Sequence, residues 1–307
     1  MARRGLVVAG FDGSEAGWTA VEHAATEAVL RGHDVRLVHA LLPAHAYAET
    51  ALIRPVEDRA TEARRLLDFA RRYLHRQHGR LRVQVYIADR PAGDLLLSEA
   101  HAADLVVVGR RGRGRLPVRL GSVSAQVARH ATCPVAVVGG TPGHPAGPVV
   151  VGVDAAAPSA AAIEYAFDTA DRHGSDLRAC YVTPGRAARG TEALTEALTE
   201  AGELLDRALL PWRARFPHVP VHTAAVPGTD PAAALLRAAG DAALLVVGCR
   251  QQDGLRRLLA GSVSHTLVQQ AGVPLLVAAV TKTASLKTAG IDPADAMTVA
   301  AAAAVSG

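Results

Sequence analysis

Short, almost entirely apolar runs recur along the chain, and longer stretches with helical spacing of apolar residues separate them. The first run covers residues 5–11, and Val106-Val107-Val108 belongs to another. A short run rich in β-branched residues, without polar alternation, is typical of a parallel strand buried on both faces. The pattern therefore predicts interior strands of a sheet with helices packed on it.

Strands and helices alternate through the first half of the chain. The predicted strands cover residues 5–11, 35–41, 82–88, 105–109 and 134–138. Strands that alternate with helices predict a parallel sheet with right-handed crossovers.

The predicted helices carry specific expectations about their ends and their apolar faces. Ser14 is placed to cap the first helix and Gly32 to end it. Pro211 is expected to kink or shorten the long helix of the second half, because proline removes a helical hydrogen bond. The helix predicted over about residues 57–78 is expected to bury an apolar stripe of Leu66, Phe69, Ala70 and Tyr73.

The order of elements repeats in the second half at a nearly constant offset. Asp12 matches Asp154, Pro91 matches Pro231, and Gly121-Ser122-Val123-Ser124 matches Gly261-Ser262-Val263-Ser264. Matches at such an offset indicate a duplicated domain. The predicted organisation is domain 1 over residues 1–139, a Gly- and Pro-rich linker over 140–147, domain 2 over 148–280, and a flexible tail over 281–307.

A glycine-rich loop follows the fourth strand of each domain. In domain 1 it runs from Gly109 through Gly112 to Gly121-Ser122. A strand that leads through such a loop into a helix can bind phosphate, because the amides and the positive dipole end of the first turn face the anion. The alternative is that the glycines only form an ordinary turn and helix start.

Composition and charge limit the chemistry. The chain has 307 residues, half of them hydrophobic, and a net charge of +4. Its only lysines are Lys282 and Lys287, so a P-loop of the Gly-Lys-Ser/Thr kind is excluded. The three cysteines are far apart, which favours buried thiols over a disulfide framework or a zinc site. With no signal peptide or membrane-spanning apolar run recognised, a cytoplasmic protein is expected.

Four motifs together resemble the universal stress protein family in its tandem form. They are Gly10-Phe11-Asp12-Gly13-Ser14, Leu37-Val38-His39-Ala40, Arg90-Pro91, and the glycine loop that enters Gly-Ser-Val-Ser. The resemblance covers both domains. It implies α/β domains of the adenine nucleotide α-hydrolase-like kind, each a doubly wound five-stranded parallel sheet of strand order 3-2-1-4-5. It also implies ATP, with or without Mg²⁺, at the carboxyl ends of strands 1 and 4.

The resemblance assigns nucleotide binding to matching positions in both domains. In domain 1 these are Gly10, Asp12, Ala40, Gly109, Gly112, Gly121, Ser122, Val123 and Ser124. In domain 2 they are Gly152, Asp154, Val182, Gly248, Gly261, Ser262, Val263 and Ser264.

Both loops depart from the nucleotide-binding pattern of the family. In domain 1 only eight residues separate Gly112 from Gly121, one fewer than in that pattern. In domain 2 Gln251 replaces the middle glycine, so a side chain stands where the backbone would approach phosphate. Asp154-Ala155-Ala156 also replaces the Asp-Gly-Ser of domain 1.

Several of these residues have a structural alternative. Asp12, Ser122 and Ser124 are compatible with helix capping as well as ligand binding. The arginines of the loop either reach phosphate or form a solvated basic face; they are Arg110, Arg111, Arg113 and Arg115. Nucleic-acid binding fits poorly because few aromatic residues are available to stack on bases.

The main functional hypothesis is an adenine-nucleotide-binding stress-response or regulatory protein that signals through its ligand. An interaction scaffold of the same fold that binds no nucleotide is the alternative, and a slow ATPase is a third. No catalytic or metal-binding residue is assigned. The two domains are expected to pair through their last strands, and a homodimer and a further protein partner are possible. No membrane contact is expected.

Overall fold

The computed structural model describes residues 4–41, 56–110, 121–139, 146–154, 159–184, 191–248 and 263–278. The chain divides into two compact units, residues 1–141 and residues 142–307. Of the predicted site residues, Gly112, Gly261 and Ser262 lie outside the described residues, as does the predicted tail.

Unit 1 alternates strands and helices as the hydrophobic pattern predicts. Its elements are β1 (Leu6–Gly10), α1 (Glu15–Arg31), β2 (Asp34–Ala40), α2 (Val56–Gln77), β3 (Val83–Ala88), α3 (Ala92–Ala100), β4 (Leu105–Gly109), α4 (Ser122–His130) and β5 (Val135–Val138).

The sheet of unit 1 is parallel and has the order β3-β2-β1-β4-β5. Its central strand β1 is fully apolar at the core, where Val7, Val8 and Ala9 have no exposed surface. The chain runs from β1 outward to β3 and then returns to β4 on the other side of β1. The strand order therefore reverses between β1 and β4, and the carboxyl ends of those strands lie at the switch point where doubly wound sheets bind ligands.

Unit 2 repeats this plan. Its elements are β6 (Val149–Val153), α5 (Ser159–His173), β7 (Leu177–Pro184), α6 (Thr191–Arg215), β8 (Val221–Gly228), α7 (Pro231–Ala238), β9 (Leu244–Gly248), α8 (Val263–Gln270) and β10 (Leu275–Ala278). The parallel order is β8-β7-β6-β9-β10. The predicted fold class is confirmed.

Helix α1 begins and ends as its sequence predicts. The Ser14 hydroxyl accepts a hydrogen bond from the Gly17 amide at 3.1 Å, which satisfies one of the free amides of the first turn. Gly32 closes the helix in the left-handed conformation, with φ of 66°. The predicted roles of Ser14 at the start of α1 and of Gly32 at its end are therefore confirmed.

The buried face of α2 differs from the predicted one. Ala63, Leu67, Ala70 and Leu74 are 0–3 % exposed, whereas Phe69 is 52 % exposed. Phe69 packs edge-on against Trp18 of α1, with ring centroids 5.8 Å apart. Ala70 is buried as predicted, but the prediction was wrong for Phe69, because this aromatic side chain was counted as core; Leu67 and Leu74 are buried instead.

Of the two effects expected of Pro211, a kink or an early end of α6, the early end does not occur. The helix continues to Arg215 with Pro211 inside it. Trp212, the next residue, is 4 % exposed, and Phe216 stacks on Phe167 at 5.7 Å. The buried Trp212 and the stacked ring of Phe216 favour continuation of the helix beyond the proline, although the proline removes one helical hydrogen bond. In the described part of the chain, no helix is long and apolar enough to cross a membrane.

Two thiols lie inside the units. Cys133 and Cys180 are both reduced and buried. Burial raises the pKa of Cys133 to about 12, with a smaller contribution from the charge of Asp104. Burial likewise raises the pKa of Cys180 to about 11. Because the thiolate is the reactive form, both side chains should be inert in the folded protein.

We therefore expect Cys133 and Cys180 to resist alkylation at pH 8, where a thiol of pKa about 12 is ionised in only about one molecule in ten thousand. Site-resolved mass spectrometry after a timed iodoacetamide pulse measures this. Both thiols should label rapidly once the protein is unfolded in urea. Rapid labelling of either one under native conditions would contradict its buried position.

Candidate functional site

Gly109, the last residue of β4, is where two helices meet the carboxyl edge of the sheet in unit 1. A Cβ atom on Gly109 would lie 2.6 Å from the Ala16 carbonyl oxygen, in the first turn of α1. Real Cβ atoms do not approach backbone this closely, so the glycine is required for α1 to pack against β4. The absent side chain is thus accounted for by helix packing.

A serine from the next helix binds the same glycine. The Ser124 hydroxyl, in the first turn of α4, donates to the Gly109 carbonyl oxygen at 2.6 Å. In unit 2 the Ser264 hydroxyl donates to the Gly248 carbonyl oxygen at 3.2 Å. This bond joins the end of the fourth strand to the helix after the loop in both units. The proton of each of these hydroxyls is therefore committed to a backbone carbonyl.

Asp12 follows β1 at the same edge and is half-buried. Its Oδ1 accepts hydrogen bonds from the Ser14 amide at 3.0 Å and from the Ser14 hydroxyl at 2.5 Å. Ser14 in turn caps α1, and a Cβ atom on Gly17 would lie 2.7 Å from Asp12 Oδ1. Asp12 does not cap α1 itself; it orients Ser14, which caps the helix. Its carboxylate is held beside the positive end of α1.

The amino end of α4 lies at the switch point. Gly121 occupies the cap position with extended backbone, and no side chain caps this end. The Gly121 amide donates to the Arg110 carbonyl at 3.0 Å. Ser122 is exposed and Val123 is half-buried in the first turn. This arrangement offers an anion the Ser122 hydroxyl and the first-turn amides, the chemistry typical of anion binding at a helix start.

Arg110 is buried, with 8 % of its surface exposed. Its amide donates to the Val138 carbonyl at 2.6 Å, and its Nε donates to the Gly139 carbonyl at 3.2 Å. Sequence patterns in the loop placed this residue with three other arginines as a set. Arg111, Arg113 and Arg115 lie outside the described residues.

Gly10 and Gly152, the matched glycines near the ends of β1 and β6, also serve packing. A Cβ atom on Gly10 would approach Leu96 Cδ1 to 3.1 Å, and one on Gly152 would approach Leu235 Cδ1 to 3.0 Å. Each glycine thus leaves room for a leucine of the third helix of its unit. Packing of these leucines thus explains why both positions are glycine, without a role in ligand binding.

The second strand of each unit brings a different ring to this edge. In unit 1 the His39 Nδ1 donates to the Phe11 carbonyl at 2.7 Å, beside Ala40 at the end of β2. In unit 2 Tyr181 occupies the matching position, next to Val182. Burial raises the pKa of Tyr181, and the negative charges of Asp154 and Glu200 add to the effect. The sequence motifs did not point to Tyr181. The available signal was its position in the repeat, which is equivalent to that of His39.

Unit 2 brings together fewer of its predicted residues in the described structure. Asp154 is exposed at the end of β6, and Gly248 ends β9, where it pairs with Ala278. Val263 and Ser264 begin the described part of α8. Gln251, which replaces the middle glycine, lies outside the described residues.

A surface cavity of about 320 Å³ lies elsewhere, at the amino ends of β1 and β4. Its polar groups already serve the fold: Asp104 Oδ2 accepts from the Leu6 amide at 2.7 Å, and His101 Nδ1 donates to the Leu97 carbonyl at 2.9 Å. Within the residues that the structure describes, no cluster of histidine, cysteine and carboxylate side chains could hold a metal ion.

Comparison with known proteins identifies the family. The model of the universal stress protein family matches residues 4–139 and again residues 146–279. A universal stress protein of Mycobacterium tuberculosis is 34 % identical over 293 residues, which cover 89 % of this chain and 95 % of the relative. One from Mycolicibacterium smegmatis is 35 % identical over 287 residues, covering 88 % and 96 % of the two chains. The chain belongs to the universal stress protein family and carries two of its domains.

A solved structure agrees on the fold. The crystal structure of a universal stress protein from Archaeoglobus fulgidus superposes with a TM-score of 0.66 at 18 % identity, over 89 % of this chain and 98 % of that one. At this identity the similarity concerns the fold alone.

The close approach at Gly109 generates a stability prediction. Gly109→Ala should destabilise unit 1 by about 1–3 kcal/mol, because the new Cβ atom must push α1 away from β4. Gly79→Ala is the matched control in the same unit, since a Cβ atom there meets only the His75 carbonyl at 3.9 Å. Urea denaturation followed by far-ultraviolet circular dichroism measures both variants. Equal stability of the two variants would contradict the packing role.

Proposed function

We propose that this protein binds an adenine nucleotide at the carboxyl edge of β1 and β4 in domain 1 and acts as a regulatory protein of the stress response. The carrying observation is that two features meet at the strand-order switch point. These are the half-buried carboxylate of Asp12 and the amino end of α4 without a side-chain cap. A carboxylate accepts hydrogen bonds from ribose or adenine, and the free amides at the amino end of a helix donate hydrogen bonds to phosphate.

We propose that these groups bind separate parts of the nucleotide. The Ser122 hydroxyl and the amides of Ser122 and Val123 would donate hydrogen bonds to phosphate oxygens. The Ser124 hydroxyl would not, because its proton is already donated to the Gly109 carbonyl. Asp12 would take the nucleoside through its carboxylate. The backbone at Ala40 would contact the base, as the family resemblance implies. Mg²⁺ would then be held by the phosphates themselves, since no carboxylate cluster for it is found among the described residues.

Domain 1 is proposed as the main site. Its Asp12-Gly13-Ser14 turn holds the carboxylate in a defined hydrogen-bond geometry, whereas domain 2 has Asp154-Ala155-Ala156. Domain 2 also carries Gln251 in place of the middle glycine of the loop. Binding by domain 2 should therefore be weaker.

A nucleotide-free interaction module is the second candidate function. The packing roles of Gly10 and Gly109 favour it, because both glycines are explained by the fold without a ligand. Fast ATP hydrolysis has no identified machinery, since the described part of domain 1 offers no lysine and no metal-carboxylate cluster. Pairing of the two domains, a homodimer, a cytoplasmic location and a further protein partner stay predictions.

The first experiment separates nucleotide binding from the scaffold function. Protein purified without added nucleotide is denatured, and the supernatant is analysed for ATP and ADP by chromatography. ATP is then titrated by calorimetry into a sample from which any bound nucleotide has been removed. Released nucleotide or a saturable heat is expected. If no nucleotide is released and millimolar ATP gives no heat, the proposal of nucleotide binding is wrong, and the interaction module becomes the favoured function.

A matched pair of glycine variants tests which of the two domains binds ATP. Gly121→Val places a branched side chain before the amides of α4, while its φ of −61° and ψ of 146° suit any residue, so the fold should persist. We expect Gly121→Val to weaken ATP binding by about tenfold or more and Gly261→Val, its partner in domain 2, to change it little. The opposite result in calorimetry would assign the site to domain 2.

A further inference from the structure

The long helices that follow the second strand of each unit carry opposite charges. They occupy the same place in the repeat, α2 between β2 and β3 and α6 between β7 and β8. Residues 64–77 of α2 contain five arginines and one carboxylate, whereas residues 191–206 of α6 contain five carboxylates and no arginine or lysine. Because the same fold is built with either charge, the fold requires neither of them.

One face of α2 presents cations around an exposed ring. Arg65, Phe69, Arg72 and Arg76 follow one another at helical spacing, so they form a single stripe along the helix. All four are exposed, Phe69 by 52 %. The three arginines form no ion pair with any residue that the structure describes. This stripe is called the basic face of α2.

One face of α6 presents the opposite charge. Glu196, Glu200 and Glu203 also follow one another at helical spacing, and all three are exposed. Within the described parts of both units, none of these carboxylates forms an ion pair. This stripe is called the acidic face of α6.

The dipole of each helix does not explain these charges. Carboxylates at the amino end and arginines at the carboxyl end stabilise a helix, but the effect falls off within the first and last turn. Arg65 lies 12 residues before the end of α2, and Glu203 lies 12 residues after the start of α6. Like charges four residues apart, such as Arg72 and Arg76, also repel each other. Each face is therefore stabilised when a surface of opposite charge covers it.

We infer that the basic face of α2 docks on the acidic face of α6 in a second copy of this chain. An antiparallel register that sets Arg72 opposite Glu196 continues along both helices. Seven residues further, the same register sets Arg65 opposite Glu203. Phe69 lies between the two arginines and is covered by the contact as its apolar anchor.

A two-fold dimer forms this contact twice, because each copy contributes one α2 and one α6. The repetition matters, since a single helix pair buries less surface than a stable interface needs. The inference is independent of the proposed nucleotide site, and neither proposal depends on the outcome of the other's test.

Reversal of the charge on each face tests the contact. One variant carries Arg65→Glu with Arg72→Glu, and the other carries Glu196→Arg with Glu203→Arg. Analytical ultracentrifugation of the full-length proteins measures the dissociation constant of the dimer for each variant and for their equimolar mixture. Because all four side chains are exposed, the fold should persist, and thermal melting of each variant verifies it.

The matched control is Arg80→Glu with Arg82→Glu. Both arginines are exposed and lie beyond the end of α2. The control changes the net charge as much as reversal of the basic face does, so it separates the contact from general electrostatic repulsion.

The unaltered protein should dimerise, and about tenfold more weakly or worse when salt rises from about 0.05 M to about 0.5 M, because exposed charges are screened. Each reversed variant alone should dimerise about 100-fold more weakly or worse, since like charges then face each other. The equimolar mixture should recover the dimer, because both contacts again join opposite charges. The control should change the dissociation constant by less than about threefold.

Three outcomes would overturn the inference. The first is an unaltered protein that stays monomeric, and the second is a dimer that the reversals weaken no more than the control does. The third is a dimer that both reversals weaken but mixing does not restore, since the two faces then do not meet each other. If the monomer instead sediments with phosphatidylglycerol vesicles, and reversal of Arg65 and Arg72 abolishes this, the basic face binds a lipid surface and the inference is wrong.

Discussion

The close contact between Gly109 and the first turn of α1 is the constraint on which the switch point of unit 1 depends. The Ala16 carbonyl lies where any side chain on Gly109 would stand. Because of this contact, the turn that carries Asp12 and Ser14 lies against the end of β4. Ser124 then attaches α4 to the same residue through the Gly109 carbonyl. Two helix starts thus converge on one strand end, and both bring their positive poles to it.

Much of the fold could be predicted from the sequence because buried parallel strands leave a strong pattern. The runs at Val7-Val8-Ala9 and Val106-Val107-Val108 are continuous and apolar, and the duplication gave each prediction a second instance. The errors fell on helices. Phe69 was counted as core although the face of α2 with smaller aliphatic residues meets the sheet, and Pro211 was read by local propensity although Trp212 and its neighbours pack beyond it.

The candidate site was less predictable, because a sequence motif does not show which of its residues bind a ligand and which only support the fold. Gly10 and Gly109 could be read as making room for phosphate, yet the structure shows helix side chains and backbone in that space. Ser124 could be read as a ligand or a cap; it does not cap α4, and its hydroxyl proton goes to a strand carbonyl. The burial of Arg110 has no signal in a run of arginines; it depends on the end of β5, which is distant in sequence.

The bond from Ser124 to Gly109, with its counterpart from Ser264 to Gly248, has a consequence for how such a domain diversifies. Each bond ties together the two stems between which the glycine loop is inserted, and it uses a strand carbonyl and a helix hydroxyl rather than any loop residue. The inserted segment is then free to change in length and composition without disturbing the scaffold. The loops of the two domains differ in length and composition within a single polypeptide. The same pair of hydrogen-bonded stems therefore supports two different loops in this chain.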